Sequence, residues 1–247
     1  NKIENFIYFC YDVSSLLKKG MHNLEKYIYH YTSIKNLELI FANKTLRLNA
    51  LSNVDDMEEG QANAFGDLSK YVFVSSWTKD SIENVALWNM YTPNMTGVRI
   101  GINPKKVNLI KSHENVVENI CDNKNVLAFV NGSFLEEVVY STSSRVNLIN
   151  IDGNISRKEI SLLGKNKSSE WSFQNEIRFM LVAIQKDKVM EAPFLKLETM
   201  SFESILHKVN SNINYIDLKI DDDVWKDAEI LLGPNAEQRD YSIVRAL

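Results

Sequence analysis

Cysteine, histidine, glycine and proline are all scarce in this sequence, and each scarcity removes a class of function. Its two cysteines, Cys10 and Cys121, lie far apart and match no metal-ligand or redox spacing, so neither a disulfide framework nor a thiolate metal centre organises the chain. The four histidines, His22, His30, His113 and His207, form no cluster, and no metal is expected. Nine glycines are spread without a G-x-G-x-x-G or P-loop pattern, which excludes nucleotide binding of the Rossmann or P-loop kind. Four prolines, no low-complexity segment and no internal repeat leave no sign of a linker or a solenoid. No excess of positive charge exists either. Lysine and arginine number 28 against 32 acidic residues, so no global basic field advertises nucleic-acid binding, and only a local patch remains open. No apolar run approaches the roughly 18 residues that span a bilayer. The apolar stretch Phe6 to Tyr11 lacks a basic leader and a small-residue cleavage site. A reduced, cytoplasmic setting without membrane contact is the expectation.

What is present is ordinary globular material. A hydrophobic content of 45% over 247 residues suffices for a substantial core in one large domain. Residues 1–20 read as a helical appendage, and residues 21–247 as a single domain beginning near Met21. Leu46 and Leu48 alternate as in a half-buried strand, Tyr71 to Trp77 reads as another, and Val98, Ile100 and Ile102 share one face of a third before Asn103-Pro104. Asp80 with Glu83 has capping-box spacing ahead of a helix through Ala86, Leu87 and Tyr91. Val126–Val130 and Phe134–Tyr140, joined by Asn131-Gly132-Ser133, form the clearest hairpin pattern. Ile213 to Ile220 alternates as a strand, and Asp221 to Asp223 cap a following helix. Strands and helices mix without a βαβ repeat, so the expected class is α+β.

Two segments carry chemistry. In Trp171 through Phe179, an extended strand would place Gln174 and Glu176 on one side, two residues apart. Ile177 to Ile184 is nearly all apolar after Arg178, the signature of a central strand. A carboxylate at the mouth of such a strand is rigid and partly desolvated, as suits a group acting on a developing cation. Upstream, Tyr27 to Thr32 is aromatic and β-branched, and Ser33 is a good N-cap for a helix with Ile34, Leu37, Ile40 and Phe41 at helical spacing. His30 therefore lies near a strand-to-helix turn.

Together these segments resemble the ADP-ribosyltransferase superfamily. In its histidine-bearing branch a strand with His-x-Thr/Ser opens the nicotinamide adenine dinucleotide (NAD) cleft, and a later Glu/Gln-x-Glu supplies the catalytic glutamate. The matching residues are His30-Tyr31-Thr32 or Ser33, and Gln174-Asn175-Glu176. Over most of its length the chain also resembles a bacterial family called domain of unknown function 2971. The likeness rests on Leu46-Arg47-Leu48, Asn53-Val54-Asp55-Asp56, Ser75-Ser76-Trp77, Trp88-Asn89-Met90-Tyr91 and Trp171 to Arg178, in that order. It departs from that family at Gln174, where glutamate is usual, and from the superfamily at Tyr31, where glycine is common.

The resemblance implies a fold of split mixed or antiparallel sheets with flanking helices around an NAD cleft. It implies mono-ADP-ribosyl transfer, with Glu176 stabilising the oxocarbenium-like transition state and Gln174 orienting the acceptor. His30 would bind a ribose hydroxyl, the Tyr31 backbone the nicotinamide amide, and Thr32 and Ser75 would line the cleft. Arg47 would meet the pyrophosphate, and Trp88 or Tyr91 would stack on the nicotinamide ring. The expected acceptor is a nucleic acid, RNA or DNA, held by a patch at Lys165, Lys167, Lys105 and Lys106, in a bacterial toxin or phage-defence effector with a possible antitoxin. A protein acceptor, an NAD glycohydrolase and an inactive nucleotide-binding or interaction module are the other readings. Each residue also fits a plainer role. Glu176 would pair with Arg178 or cap a loop, His30 and the Trp88–Tyr91 pair would belong to the core, and Arg47 would face solvent.

Overall fold

The computed structural model describes residues 27–56, 58–62, 66–111, 116–121, 125–130, 133–143, 162–187 and 212–247. The expected appendage at 1–20, Asn131-Gly132 and the histidines at 22, 113 and 207 lie outside them. The described chain begins with β1 (Ile28–Thr32), α1 (Ile34–Asn43) and β2 (Thr45–Ala50). Two short strands follow, β3 (Gln61–Ala62) and β4 (Gly66–Asp67), then β5 (Val72–Thr78), α2 (Val85–Tyr91) and β6 (Val98–Ile102). Next come β7 (Val126–Phe129), β8 (Leu135–Glu137), β9 (Val139–Ser141), β10 (Asn166–Ser168) and β11 (Glu176–Gln185). The chain closes with β12 (Tyr215–Lys219), α3 (Asp222–Lys226), β13 (Glu229–Leu232) and α4 (Gln238–Ala246). The class is α+β, built on one antiparallel sheet.

Local chemistry explains the first elements. The Ser33 hydroxyl accepts from the Asn36 amide at 3.1 Å and starts α1, which ends where Lys44 turns left-handed at φ 55°. The second helix departs from the capping-box expectation. Asn84 is its N-cap, accepting from Ala86 N at 2.9 Å, while Asp80 instead accepts from the Asn175 side chain at 2.7 Å.

The sheet is organised by β5. One edge of β5 pairs with β11 along its whole length, from Thr78 opposite Glu176 to Val72 opposite Val182. The other edge is shared. Strand β2 takes its start, with Ala50 opposite Phe73 and Asn49 opposite Val74, and β1 takes its end, with Tyr29 opposite Thr78. Strand β2 carries β12 outward, whereas β1 carries β6 and then β13. The two wings diverge, and the β5 stretch Ser75–Trp77 faces the gap between them. Backbone groups in such a gap need other partners. His30 Nδ1 meets one of them, the Ser76 carbonyl, at 2.9 Å.

The expected hairpin does not form. Strands β7 and β8 both pair with β11 rather than with each other, Val126–Phe129 against Val182–Gln185 and Leu135–Glu137 against Ile177–Phe179. The ten-residue apolar strand β11 offers a longer edge than either short segment offers the other, so they take it end to end. Burial follows the strand period of two. Phe73, Trp77, Ile177 and Phe179 lie in the main core, which spans one face of the sheet with α1 packed on it. The opposite face is covered in two places, by Leu51, Tyr71 and Leu163 against β5 and β11, and by Leu87 and Trp88 of α2 against Tyr31.

Phe179 sits between Trp77 and Phe134, at ring-centroid distances of 6.1 and 4.9 Å. Phe179→Ala is expected to cost about 3–5 kcal/mol of unfolding free energy in urea titration, as for other large-to-small changes in a packed core.

Candidate functional site

A cleft of about 510 Å³ occupies the gap between the wings, within the range of small-molecule sites. Strand β1 supplies His30, Tyr31 and Thr32 to its wall, and β2 supplies Arg47. Ser75 and Ser76 of β5 form its floor, and Tyr91, Gln174 and Glu176 close one end. Every residue expected to act in catalysis or to bind NAD lines this cleft except Trp88. That side chain is buried in the core, stacked edge-on against Tyr31 at 4.8 Å, and its indole N–H donates to Glu83 at 3.0 Å. Tyr91, not Trp88, is thus the aromatic residue of α2 that reaches the cleft.

At the closed end lies a buried group of charges. Arg178, with 0% exposure, points from β11 to the same face as Glu176. Its Nε donates to Glu176 Oε1 at 2.7 Å and its Nη2 to Oε2 at 3.1 Å; Nη1 donates to the Gly164 carbonyl at 2.9 Å. Glu59 receives Nη2 at 3.1 Å and Nη1 as well. Lys167 Nζ completes the group, 3.0 Å from Glu176 Oε2 and 3.3 Å from Glu59 Oε1. Two cations and two carboxylates balance one another, as burial demands. Burial opposes ionisation of Glu176, but Arg178 and Lys167, with hydrogen bonds from Arg178 and Ser76, hold its pKa down at about 2. Burial likewise opposes the charge on Arg178, and the two carboxylates raise its pKa above the ordinary arginine value.

Gln174 does not share a strand with Glu176. It ends a 3-10 turn over Ser169–Gln174, and Asn175 follows in the left-handed region at φ 40°, so the strand begins only at Glu176. Asparagine tolerates that conformation, and its side chain ties down to Asp80. The two functional groups still converge, because Lys167 Nζ also donates to Gln174 Oε1 at 2.7 Å. Gln174 Nε2 then donates to the Tyr91 hydroxyl at 2.9 Å, and Tyr91 donates to Asp55 Oδ2 at 2.9 Å. Burial and the Asp55 carboxylate push the Tyr91 pKa upward, which keeps the hydroxyl protonated.

On the other side of the cleft, the register puts His30 on the face of Trp77, whose ring lies 5.2 Å away, and not on the face of Glu176. The cleft reaches both because it passes through the split. A carbonyl can only accept, so Nδ1 carries the proton and Nε2 is left as an acceptor. Burial lowers the His30 pKa, partly offset by the Ser76 carbonyl, and the ring is neutral at physiological pH. Ser75 takes the indole N–H of Trp77 at 3.1 Å, whereas Ser76 is the serine bonded to Glu176. Arg47 is half exposed on β2, stacked over the Tyr215 ring and paired through Nε and Nη2 with Asp217 at 2.8 Å, so Asp217 already meets much of its charge.

The expected lysine patch is not assembled. Lys167 is buried in the charge group, Lys165 pairs with Glu136 at 2.9 Å, and Lys106 pairs with Asp227. Sequence reasoning missed Glu59 and placed Lys167 in a solvated patch rather than in the buried charge group, because both sit in polar runs that look solvated. The only available signal was the need of a buried arginine for more than one carboxylate. Among the described residues no cluster of His, Cys, Asp or Glu could hold a metal, and no helix is long and apolar enough to cross a membrane.

Residues 87–179 match the family described as Protein of unknown function (DUF2971). The matched stretch runs from α2 into β11 and so contains Tyr91, Lys167, Gln174, Glu176 and Arg178, while His30, Arg47 and Glu59 lie before it. No curated protein and no solved structure matches the chain.

The charge group sets a pH dependence. The native pKa of Glu176 lies below the unfolded value of about 4.3, so its ionisation stabilises the fold above that pH and ceases to as pH falls toward 2. Calorimetric melting temperatures are expected to drop steeply between about pH 5 and 2.5 in the native protein, and less steeply in Glu176→Gln, whose residue 176 has no proton to gain.

Proposed function

We propose that this chain transfers ADP-ribose from NAD to a macromolecular acceptor, releasing nicotinamide. The observation that carries the reading is the convergence of residues distant in sequence, His30, Tyr91, Gln174 and Glu176, on one cleft through a divided sheet. The C–N glycosidic bond breaks with its electron pair passing to the nicotinamide nitrogen, and positive charge develops on the ribose. A lone pair of the acceptor's oxygen or nitrogen then forms the new bond to the same carbon as the acceptor's proton is lost to solvent. Glu176 is a carboxylate at every physiological pH and is fixed by Arg178, so it stabilises that charge without reorganising. The neutral His30 offers Nε2 to a ribose hydroxyl, and Tyr91 offers its ring to the nicotinamide. Gln174, bonded beside Glu176, faces the acceptor. The acceptor is either a nucleic acid or a protein, with hydrolysis to free ADP-ribose as the water-accepting version of the same step.

One observation favours a second reading. Both Glu176 oxygens already receive hydrogen bonds from Arg178 and one from Lys167, which suits a brace inside a nucleotide-binding or interaction module without catalysis. Incubation with adenine-labelled NAD and cell extract separates these. Nuclease-sensitive or protease-sensitive label identifies the acceptor, and free ADP-ribose alone identifies a glycohydrolase. Folded Glu176→Gln is expected to lose nicotinamide release by about 10²-fold or more. Native protein that releases no nicotinamide leaves the module reading, and a Glu176→Gln variant as fast as native overturns the role given to Glu176.

A further inference from the structure

We infer that Lys167 is a positioning residue, which sets the orientation of Gln174 and the attachment of Glu176 for the transfer proposed above and rests on that reading for its catalytic consequence. The ammonium group has donors only. Whatever oxygen faces it must accept, so the Gln174 carboxamide is forced to turn Oε1 toward Nζ, at 2.7 Å. With Oε1 committed, Nε2 is the group that meets the Tyr91 hydroxyl at 2.9 Å. Tyr91 accepts that hydrogen bond and sends its own proton to Asp55 Oδ2 at 2.9 Å. A donor-only cation at one end and the acceptor-only Asp55 carboxylate at the other agree on the direction of every hydrogen bond from β10, through the turn before β11 and α2, to the loop after β2.

Lys167 is held firmly enough for this. It is 3% exposed, its three donors face Gln174 Oε1, Glu176 Oε2 and Glu59 Oε1, and its Nζ lies 5.0 Å from the centre of the Trp171 ring. Strand β10 fixes its backbone through parallel pairing with β9, where Lys167 lies opposite Tyr140, and the Tyr140 hydroxyl accepts from the Glu176 amide at 2.9 Å. Arg178 holds Glu176 from the other side, and Lys167 supplies the second cation that the buried pair Glu59 and Glu176 requires. Its further task is to join Glu176 to Gln174. Without it, Oε1 loses its charged donor, and the carboxamide is held only through Nε2 on the Tyr91 hydroxyl, whose own proton is committed to Asp55.

The test uses the full chain with ¹⁵N labelling and two variants, Lys167→Met and Lys167→Arg, each checked for cooperative melting. The Gln174 side-chain amide pair, identified by its loss in Gln174→Met, is read by NMR. In Lys167→Met it is expected to collapse toward the position of a free glutamine. The kcat for nicotinamide release is expected to fall tenfold or more with KM for NAD changed less than about threefold. Lys167→Arg, which keeps donors and charge, is expected to keep the amide pair shifted and to recover part of kcat. An unmoved amide pair in Lys167→Met overturns the inference, as does a loss confined to KM. If Lys167→Met does not fold, the double variant Glu59→Gln/Lys167→Met, which removes one buried carboxylate together with the cation, replaces it with the same expectations. Native protein that cleaves no NAD would remove the transferase reading, while the amide signals would still decide whether Lys167 orients Gln174.

Discussion

A guanidinium taken wholly out of water must be neutralised and must have every N–H satisfied, and Arg178 imposes that demand at the centre of this fold. It sits on the strand that pairs with β5 along its whole length, opposite Ser76. Glu176 comes from the same strand two residues earlier, on the same face. Glu59 is brought from the loop after β2, and Gly164 contributes a carbonyl from the chain leading into β10. A second carboxylate calls for a second cation, which is Lys167. The closed end of the cleft is thus what remains when one buried arginine has been satisfied.

The rest of the cleft follows from unequal strand pairing. Strand β5 gives one edge to β11 and divides the other between β1 and β2, which leave it in different directions. A gap in a sheet exposes backbone groups that must be capped. The His30 ring caps the Ser76 carbonyl and in doing so fixes its own tautomer. A histidine placed to complete the sheet is therefore also an oriented acceptor on a cavity wall. Structural need and chemical capacity coincide at this residue, as they do at Glu176.

Much of this was legible in the sequence where the signal is local. The N-cap at Ser33 with its helical spacing, the alternation in β6 and the apolar run of β11 all depend on neighbours in the chain, and the structure agrees with them. The residues singled out on β1, β5 and β11 line one cleft. What failed was non-local. The Val126–Tyr140 hairpin had a good turn signal, yet both arms found a longer partner in β11. Gln174 and Glu176 have strand spacing, but Asn175 adopts a left-handed turn, fixed by its amide on the Ser172 carbonyl and its side chain on Asp80. Lys167 lies in a run of polar residues that looks like solvated loop, and its burial is decided by Glu59, more than a hundred positions away. Trp88 and Tyr91 share a helix and a spacing, and only the packing of Tyr31 tells which one enters the core.

The transfer proposed above requires that the divided sheet hold NAD with its nicotinamide riboside at the Glu176 end. A crystal structure grown with a hydrolysis-resistant NAD analogue tests it most directly. The account predicts the analogue between β1 and β2, a ribose hydroxyl within hydrogen-bonding distance of Glu176, and the nicotinamide ring against Tyr91. An analogue bound elsewhere, or an empty cleft at saturating concentration, would contradict it.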